Sequence, residues 1–520
     1  MIESSLQRFL ITFTVITASI LELIDTTIVN VSLPVIGGEL GATLSELSWV
    51  VAGYALANAV VVPITGWLGG TFGRRRYFAG SILLFTFASF MCGHSVSIDE
   101  LVVWRIVHSV GGGALLATSQ AILVDSYTPE QLGFANAMFG IGAVVGPTFG
   151  PVLGGWLTDN YSWQWIFFVN VPIGILATIL TLTYVPEPPE EHRHRGGKLD
   201  WPGLLFLLVG LGSLQTFLER GHDEDWFSTG YIRWLAVAAV AGLIAFVVWE
   251  LHTKHPIVNL RVLARRSTGI GTFLLFMLGF GLYVPLFIYP VYVQHLVGYS
   301  PMQTGLSLMP SGLASLAVLP FIGIALRKGV SIRLAAGVGF VLCGIFCLLF
   351  TGMSLQSGGD PFDGSFAVPL LVRGVGVALL FVPLTTIAMS GLKGPDVGQA
   401  SGLTNMSRQL GGSVGVALAA TVLDDRMQYH RVHLVSHLSA FSEATQVRVH
   451  ELTQAFVASG ATLYDAKQQA LAALNGIVMK NAALMSYMDL FFYIGLFFLI
   501  CVPIVFLVPR VEGGPAMPAH

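Results

Sequence analysis

Apolar residues run along this chain in blocks of about 20, with mostly short polar connections between them. A helix needs roughly 17 to 25 such residues to cross a bilayer. Fourteen runs of that length are present, at about 9–33, 48–69, 78–96, 100–123, 134–157, 164–185, 201–219, 232–251, 269–293, 302–325, 333–352, 366–390, 400–423 and 486–508. The long exception among the connections is the polar stretch from Asp424 to Tyr487. The pattern predicts an all-α polytopic membrane protein. The first run is too long and too interrupted by acids for a cleaved signal peptide, so it is read as a spanning helix that stays.

Composition agrees. Of the 520 residues, 54% are hydrophobic and 11% charged, against about 25% charged in soluble domains. That excludes an ordinary soluble enzyme, a disordered chain and a nucleic-acid binder. The net charge of −3 supplies no basic field. Cys92, Cys343, Cys347 and Cys501 all lie in apolar runs and read as packing residues, without metal or disulfide chemistry. No phosphate-binding GxxxxGK[ST] loop is present, so nothing points to ATP as the energy source, and no cofactor is expected. With a cytoplasmic N-terminus, 16 of the 26 Lys and Arg fall on inner segments and 7 on outer ones. The positive-inside rule then places both termini in the cytoplasm and the stretch 424–486 outside.

The sequence repeats. A shift of 265 superposes Gly146 on Gly411 and Gly150 on Gly415, and a shift of 268 puts Arg105 on Arg373. The reading is two duplicated six-helix units, residues 1–190 and 257–520, joined by two further spans within 191–256. Duplicated halves that rock about a central site are a transporter architecture.

Charges inside spans are rare and functional by default. Glu22 and Asp25 are three residues apart, which puts both carboxylates on one helix face. Two carboxylates so placed repel when both are ionised, the chemistry a proton-coupled carrier uses. Arg105 needs a buried acceptor, either a freed carbonyl or a carboxylate such as Asp25. His108 lies one turn on, as a second titratable group or a hydrogen-bonded interior histidine. In span 5, Gly142, Gly146, Gly150 and Gly154 make one bare face, and Pro147 and Pro151 bend the helix. Gly66, Gly69, Gly70 and Gly73 permit a tight turn ahead of Arg74, Arg75 and Arg76. His192 and His194 read as part of a solvated linker.

These motifs resemble the major facilitator superfamily, its fourteen-helix drug:proton antiporters, and among them the EmrB type of Gram-negative bacteria. The resemblance rests on L-I-D-T-T-I-V-N-V-S-L-P (Leu23–Pro34), the glycine–arginine turn from Gly66 to Arg76, the span-4 motif R-x-x-x-G matched at Arg105, and the glycine–proline run from Gly142 to Gly155. W-I-F-F-V-N-V-P-I-G (Trp165–Gly174) and D-W-F (Asp225–Phe227) extend it. The chain departs from the pattern at Gly70, His108 and Ser109, and Glu22 lies outside the motif. The resemblance implies drug/proton antiport driven by the proton gradient, with Asp25 as the coupling acid and Arg105 its helper. It implies efflux across a bacterial inner membrane. It also implies an EmrA-type periplasmic adaptor and a TolC-like outer-membrane channel as partners, with the stretch 424–486 as docking surface. Within that stretch, Leu471, Leu474 and Val478 predict an amphipathic helix starting near Asp465.

An apolar, aromatic cavity is expected to take hydrophobic substrates. Its candidate lining is Phe276, Phe280, Tyr283 and Phe287 in span 9, Arg373 and Phe381 in span 12, and Asn405 and Arg408 in span 13. Export of a native lipid, fatty acid or metabolite on the same scaffold is the alternative. A sensor, an enzyme and an importer fit less well.

Overall fold

The computed structural model describes residues 5–126, 146, 148–186, 200–221, 224, 226–254, 256–327, 330–354, 360–390, 392, 395–439 and 441–509. Gly142, Pro147, His192 and His194 lie outside the described residues. No strand occurs among those described. The helices are α1 (Ser5–Leu40), α2 (Leu44–Phe72), α3 (Arg74–His94), α4 (Ile98–Ser126), α5 (148–160), α6 (Trp165–Phe168), α7 (Asn170–Tyr184), α8 (Trp201–Arg220) and α9 (Gly230–His252). They continue as α10 (Arg266–Tyr292), α11 (Pro301–Arg327), α12 (Ile332–Phe350), α13 (Gly364–Met389), α14 (Pro395–Ser436), α15 (Glu443–Ala458) and α16 (Leu463–Phe506). Among the described residues, 11 stretches are long and apolar enough to cross a membrane. Helices α4 and α14 cover two further runs read from the sequence, and α5 the described part of a third.

The packing repeats with an offset of nine helices. α4 packs on α1, α2 and α3, as α13 packs on α10, α11 and α12. α7 packs on α1 and α3, as α16 does on α10 and α12. The two units meet where α2 lies along α14 and where α5 approaches α11. The hairpin of α8 and α9 leans on both α2 and α14. Gly210 and Gly242 let its two backbones touch. Its outer side presents Trp234, Val240, Ile244 and Val248, an apolar face suited to lipid.

Local chemistry sets the turns. α1 ends at Gly41, whose φ of 65° is left-handed. α2 then opens with a capping box, in which Thr43 N–H donates to Glu46 Oε2 at 2.8 Å and Glu46 N–H donates to Thr43 Oγ1 at 3.3 Å. A single residue, Gly73 with φ 87°, separates α2 from α3. The glycine-rich turn is therefore needed for geometry as well as for charge placement. We call the end bearing the α1–α2 turn the distal end, and the end bearing Gly73 the proximal end.

The stretch 424–486 differs from the loop expected. α14 continues to Ser436 and α16 begins at Leu463, each unbroken from the bundle, with α15 packed against α16. Thr462 caps α16, accepting from Asp465 N–H at 3.2 Å, so the predicted start near Asp465 is where the helix begins. The buried stripe of this extension is Ala466, Ala470 and Val478, whereas Leu471 is exposed and Leu474 half-buried. The expected leucine face is thus replaced by small residues, which let the helices approach closely. Asp489 ties the base together, accepting from Arg426 Nε at 2.6 Å and lying 2.7 Å from His430 Nε2.

Candidate functional site

Asp25 is fully buried in α1. Its Oδ2 accepts from an Arg105 guanidinium NH at 2.6 Å. Arg105 reaches it from α4 and is itself 2% exposed. The same guanidinium donates from Nε to Val50 O on α2 at 3.4 Å. It lies over the Tyr54 ring at 4.2 Å and near the Phe167 ring at 5.7 Å, both within cation–π range. Arg105 also donates to His108 Nδ1 at 3.1 Å. That bond uses the Nδ1 lone pair, so the imidazole proton sits on Nε2, which has no partner among the described residues. His108 packs on Phe85, ring centroids 4.0 Å apart. The second oxygen of Asp25, Oδ1, is also without a partner among the described residues. A single buried carboxylate is therefore held by one arginine through one oxygen, and the other oxygen is open to a proton.

Glu22 lies one turn earlier and is equally buried, at 2% exposure. Asn58 Nδ2 donates to its Oε1 at 3.4 Å, while Oε2 has no partner among the described residues. The Gly111–Gly113 run of α4 makes this crowding possible. A Cβ at Gly111 would meet the backbone of Phe85, at Gly112 the Tyr54 hydroxyl and Glu22, and at Gly113 Asn58 Oδ1. Ser109 Oγ donates to Tyr54 O at 2.6 Å, so with Arg105 it stitches α4 to the α2 backbone one turn apart. The departure at Ser109 thus carries a structural bond.

The described part of the α5 glycine face points at the same segment of α1. Gly146 meets Leu23 and Ile24, Gly150 meets Thr27, and Gly154 meets Ile28. The other side of α5 forms the contact between halves: Pro151 faces Gly305 and Gly155 faces Pro301 on α11. Polar bonds close this distal junction. Asp159 Oδ2 accepts from Ser300 Oγ at 2.7 Å and from Met302 N–H at 2.9 Å, capping the start of α11 from the opposite half. Gln294 Nε2 donates to Val31 O at 2.6 Å. The turn residues Gly66, Gly73, Arg74 and Arg75 lie at the proximal end, away from the buried acids.

The expected cavity residues divide. Phe287 is fully buried in the apolar core, and Phe280 packs at a tilt on Phe497 of α16, ring centroids 4.6 Å apart. Both pack, and the half-buried Phe276 lends its carbonyl to the approach of Gly411. Tyr283 instead reaches the centre, donating to Gln409 Oε1 at 2.9 Å. Arg408 donates to Asn405 Oδ1 at 2.6 Å and lies 5.9 Å from the ring of Phe381, which is 41% exposed. Arg373 is buried elsewhere, donating to Ser311 Oγ at 3.1 Å and Leu282 O at 3.3 Å, with Phe346 beneath it at 5.9 Å. Asn58, Tyr54, Gln409 and Asp159 take part in these contacts and were not singled out from the sequence. Their signal was a polar side chain inside or just past an apolar run.

Comparison with known proteins agrees with this architecture. A family model described as Major Facilitator Superfamily matches residues 15–416. The multidrug export protein EmrB of Haemophilus influenzae is 35% identical over 448 residues, covering 86% of each chain. The fatty acid resistance protein FarB of Neisseria gonorrhoeae is 36% identical over 450 residues, covering 86% of this chain and 87% of that one. Among solved structures, a bacterial homologue of the human lysosomal transporter Spinster, in an inward-facing conformation, superposes with a TM-score of 0.62 at 15% identity, covering 98% of both chains.

Proposed function

The chain belongs to the major facilitator superfamily, and on that premise we propose that it is a proton-driven exporter of hydrophobic and amphipathic toxic compounds. The observation that carries the reading is the Asp25–Arg105 pair, sealed in the N-terminal half with one carboxylate oxygen without a partner among the described residues. Its similarity to multidrug export proteins supports the direction of transport.

In this mechanism the proton and Arg105 compete for Asp25. While Asp25 is ionised, the short bond to Arg105 draws α4 towards α1. A proton on Asp25 removes that attraction and leaves Arg105 on the Val50 carbonyl and the Tyr54 face. The glycine contacts of α5 with α1 pass the change to the distal junction, where Asp159 and Gln294 must release α11 and α1 for substrate to leave. The gradient supplies about 2.3 kcal/mol per proton per 100 mV and about 1.4 kcal/mol per pH unit, enough to break such contacts. The distal end is outward in this reading, with both termini cytoplasmic and the protein in the bacterial inner membrane. The helical extension of α14, α15 and α16 then stands in the periplasm, where an EmrA-type adaptor leading to a TolC-like channel would meet it.

The test is proton flux into proteoliposomes holding the purified protein under an imposed pH gradient, with a hydrophobic drug added. Drug-triggered flux that vanishes in Asp25→Asn is the expected result. Drug transport that persists unchanged in that variant sinks coupling at Asp25. Capture of the adaptor that survives deletion of residues 425–484 sinks the docking role of the extension. The second reading, export of a fatty acid or similar metabolite, is favoured by Arg408, a cation beside the exposed Phe381 ring.

A further inference from the structure

Arg408 is the cation that the coupling mechanism does not use. It lies in α14 where that helix meets α2: Leu403 and Met406 pack with Ala59 and Val60, and Ser413 Oγ donates to Ala52 O at 3.2 Å. It is half-buried and has no ion-pair partner among the described residues. Its guanidinium donates to Asn405 Oδ1 at 2.6 Å, with the Phe381 ring alongside.

An arginine with free donors beside an exposed aromatic ring is suited to a planar acid group carrying an apolar tail. We propose that Arg408 receives the carboxylate of amphipathic organic acids, their apolar tails lying along the Phe381 ring. This rests on the exporter reading and narrows its substrate class.

The test compares decanoate with methyl decanoate, the same tail without the charge. Binding is measured calorimetrically on the full chain in lipid nanodiscs, with empty nanodiscs as the blank, and read as the acid-to-ester affinity ratio. We expect a ratio of about tenfold or more for the native protein, near unity for Arg408→Gln and intermediate for Arg408→Lys. A native ratio near unity, or an unchanged ratio in Arg408→Gln, overturns the proposal. If Arg408→Gln does not fold, Arg408→Lys decides alone: an unchanged ratio there overturns it. The exporter reading fails separately, through absence of proton-coupled movement of a neutral hydrophobic dye in proteoliposomes. Dye transport with a flat acid-to-ester ratio removes this proposal and leaves that reading standing.

Discussion

The two halves repeat one packing scheme around two arginines, yet among the described residues only Arg105 of the two is paired with an acid. Arg105 bonds Asp25, a carbonyl and a histidine, under two aromatic rings. Arg373 bonds a serine hydroxyl and a carbonyl, over one ring, and its Nε has no partner among the described residues. α10, which corresponds to α1, contains no Asp or Glu at all. The difference teaches what duplication leaves behind. A buried guanidinium held by neutral dipoles is a structural fixture, since no proton arriving nearby alters its partners. A guanidinium held by a carboxylate has two states, because one proton cancels the attraction.

The sharpest way to break this contrast is Asp25→Asn. Proton-coupled drug movement should fall by about 100-fold, the kinetic scale of losing about 3 kcal/mol from a buried pair. Flux at the native level would end the two-state account of the N-terminal half. Next is the matched pair Arg105→Met and Arg373→Met. The first strands a buried carboxylate and should cost about 3–5 kcal/mol. The second loses hydrogen bonds to neutral groups and should cost about 1–2 kcal/mol. Thermal unfolding in one detergent compares them, and equal losses would erase the distinction. A smaller test uses the glycines. A Cβ at Gly154 would meet the Ile28 carbonyl oxygen at 2.5 Å, backbone that cannot move aside. At Gly415 it would meet the Phe280 and Val284 side chains at 2.9 Å. Gly154→Ala should therefore cost about 1–3 kcal/mol and Gly415→Ala less than half of that, read from the same melts. The least effect is expected outside the paired cores. Arg426 and Asp489 are each 29% exposed, so Arg426→Ala should shift stability by only about 0–1 kcal/mol. A larger loss would make the extension part of the folded core.

Spans and repeat were legible because membrane burial writes long apolar runs that no turn interrupts. The acids and Arg105 were legible for the complementary reason, that a charge in such a run must be answered by something. Their meeting needed α1 and α4 to be neighbours, which the Arg105 side chain's need for an acceptor already suggested. The Glu22 surroundings were less visible. Asn58 and Tyr54 are unremarkable in a helix reading, and only the three glycines of α4 bring them against Glu22. The aromatic stripe of α10 misled because helical spacing does not say which neighbour each ring meets. Phe280 found α16 and Tyr283 found α14. The polar extension misled in part: a helix was expected only from near Asp465, whereas α14 runs on to Ser436 and α15 follows it.

One feature of the C-terminal half reaches beyond it. α14 is a single helix of 42 residues, about 63 Å long at 1.5 Å per residue, roughly twice the hydrocarbon thickness of a bilayer. Its buried portion carries Arg408 and Ser413, at the contact with the other half. Its far portion stands clear of the bundle beside α16. A stiff rod fixed at its middle is a pointer. Each degree by which the half tilts sweeps a tip 30 Å away through about 0.5 Å. A partner holding that tip feels the pump's position mechanically, and by reaction its grip weighs on which way the pump leans.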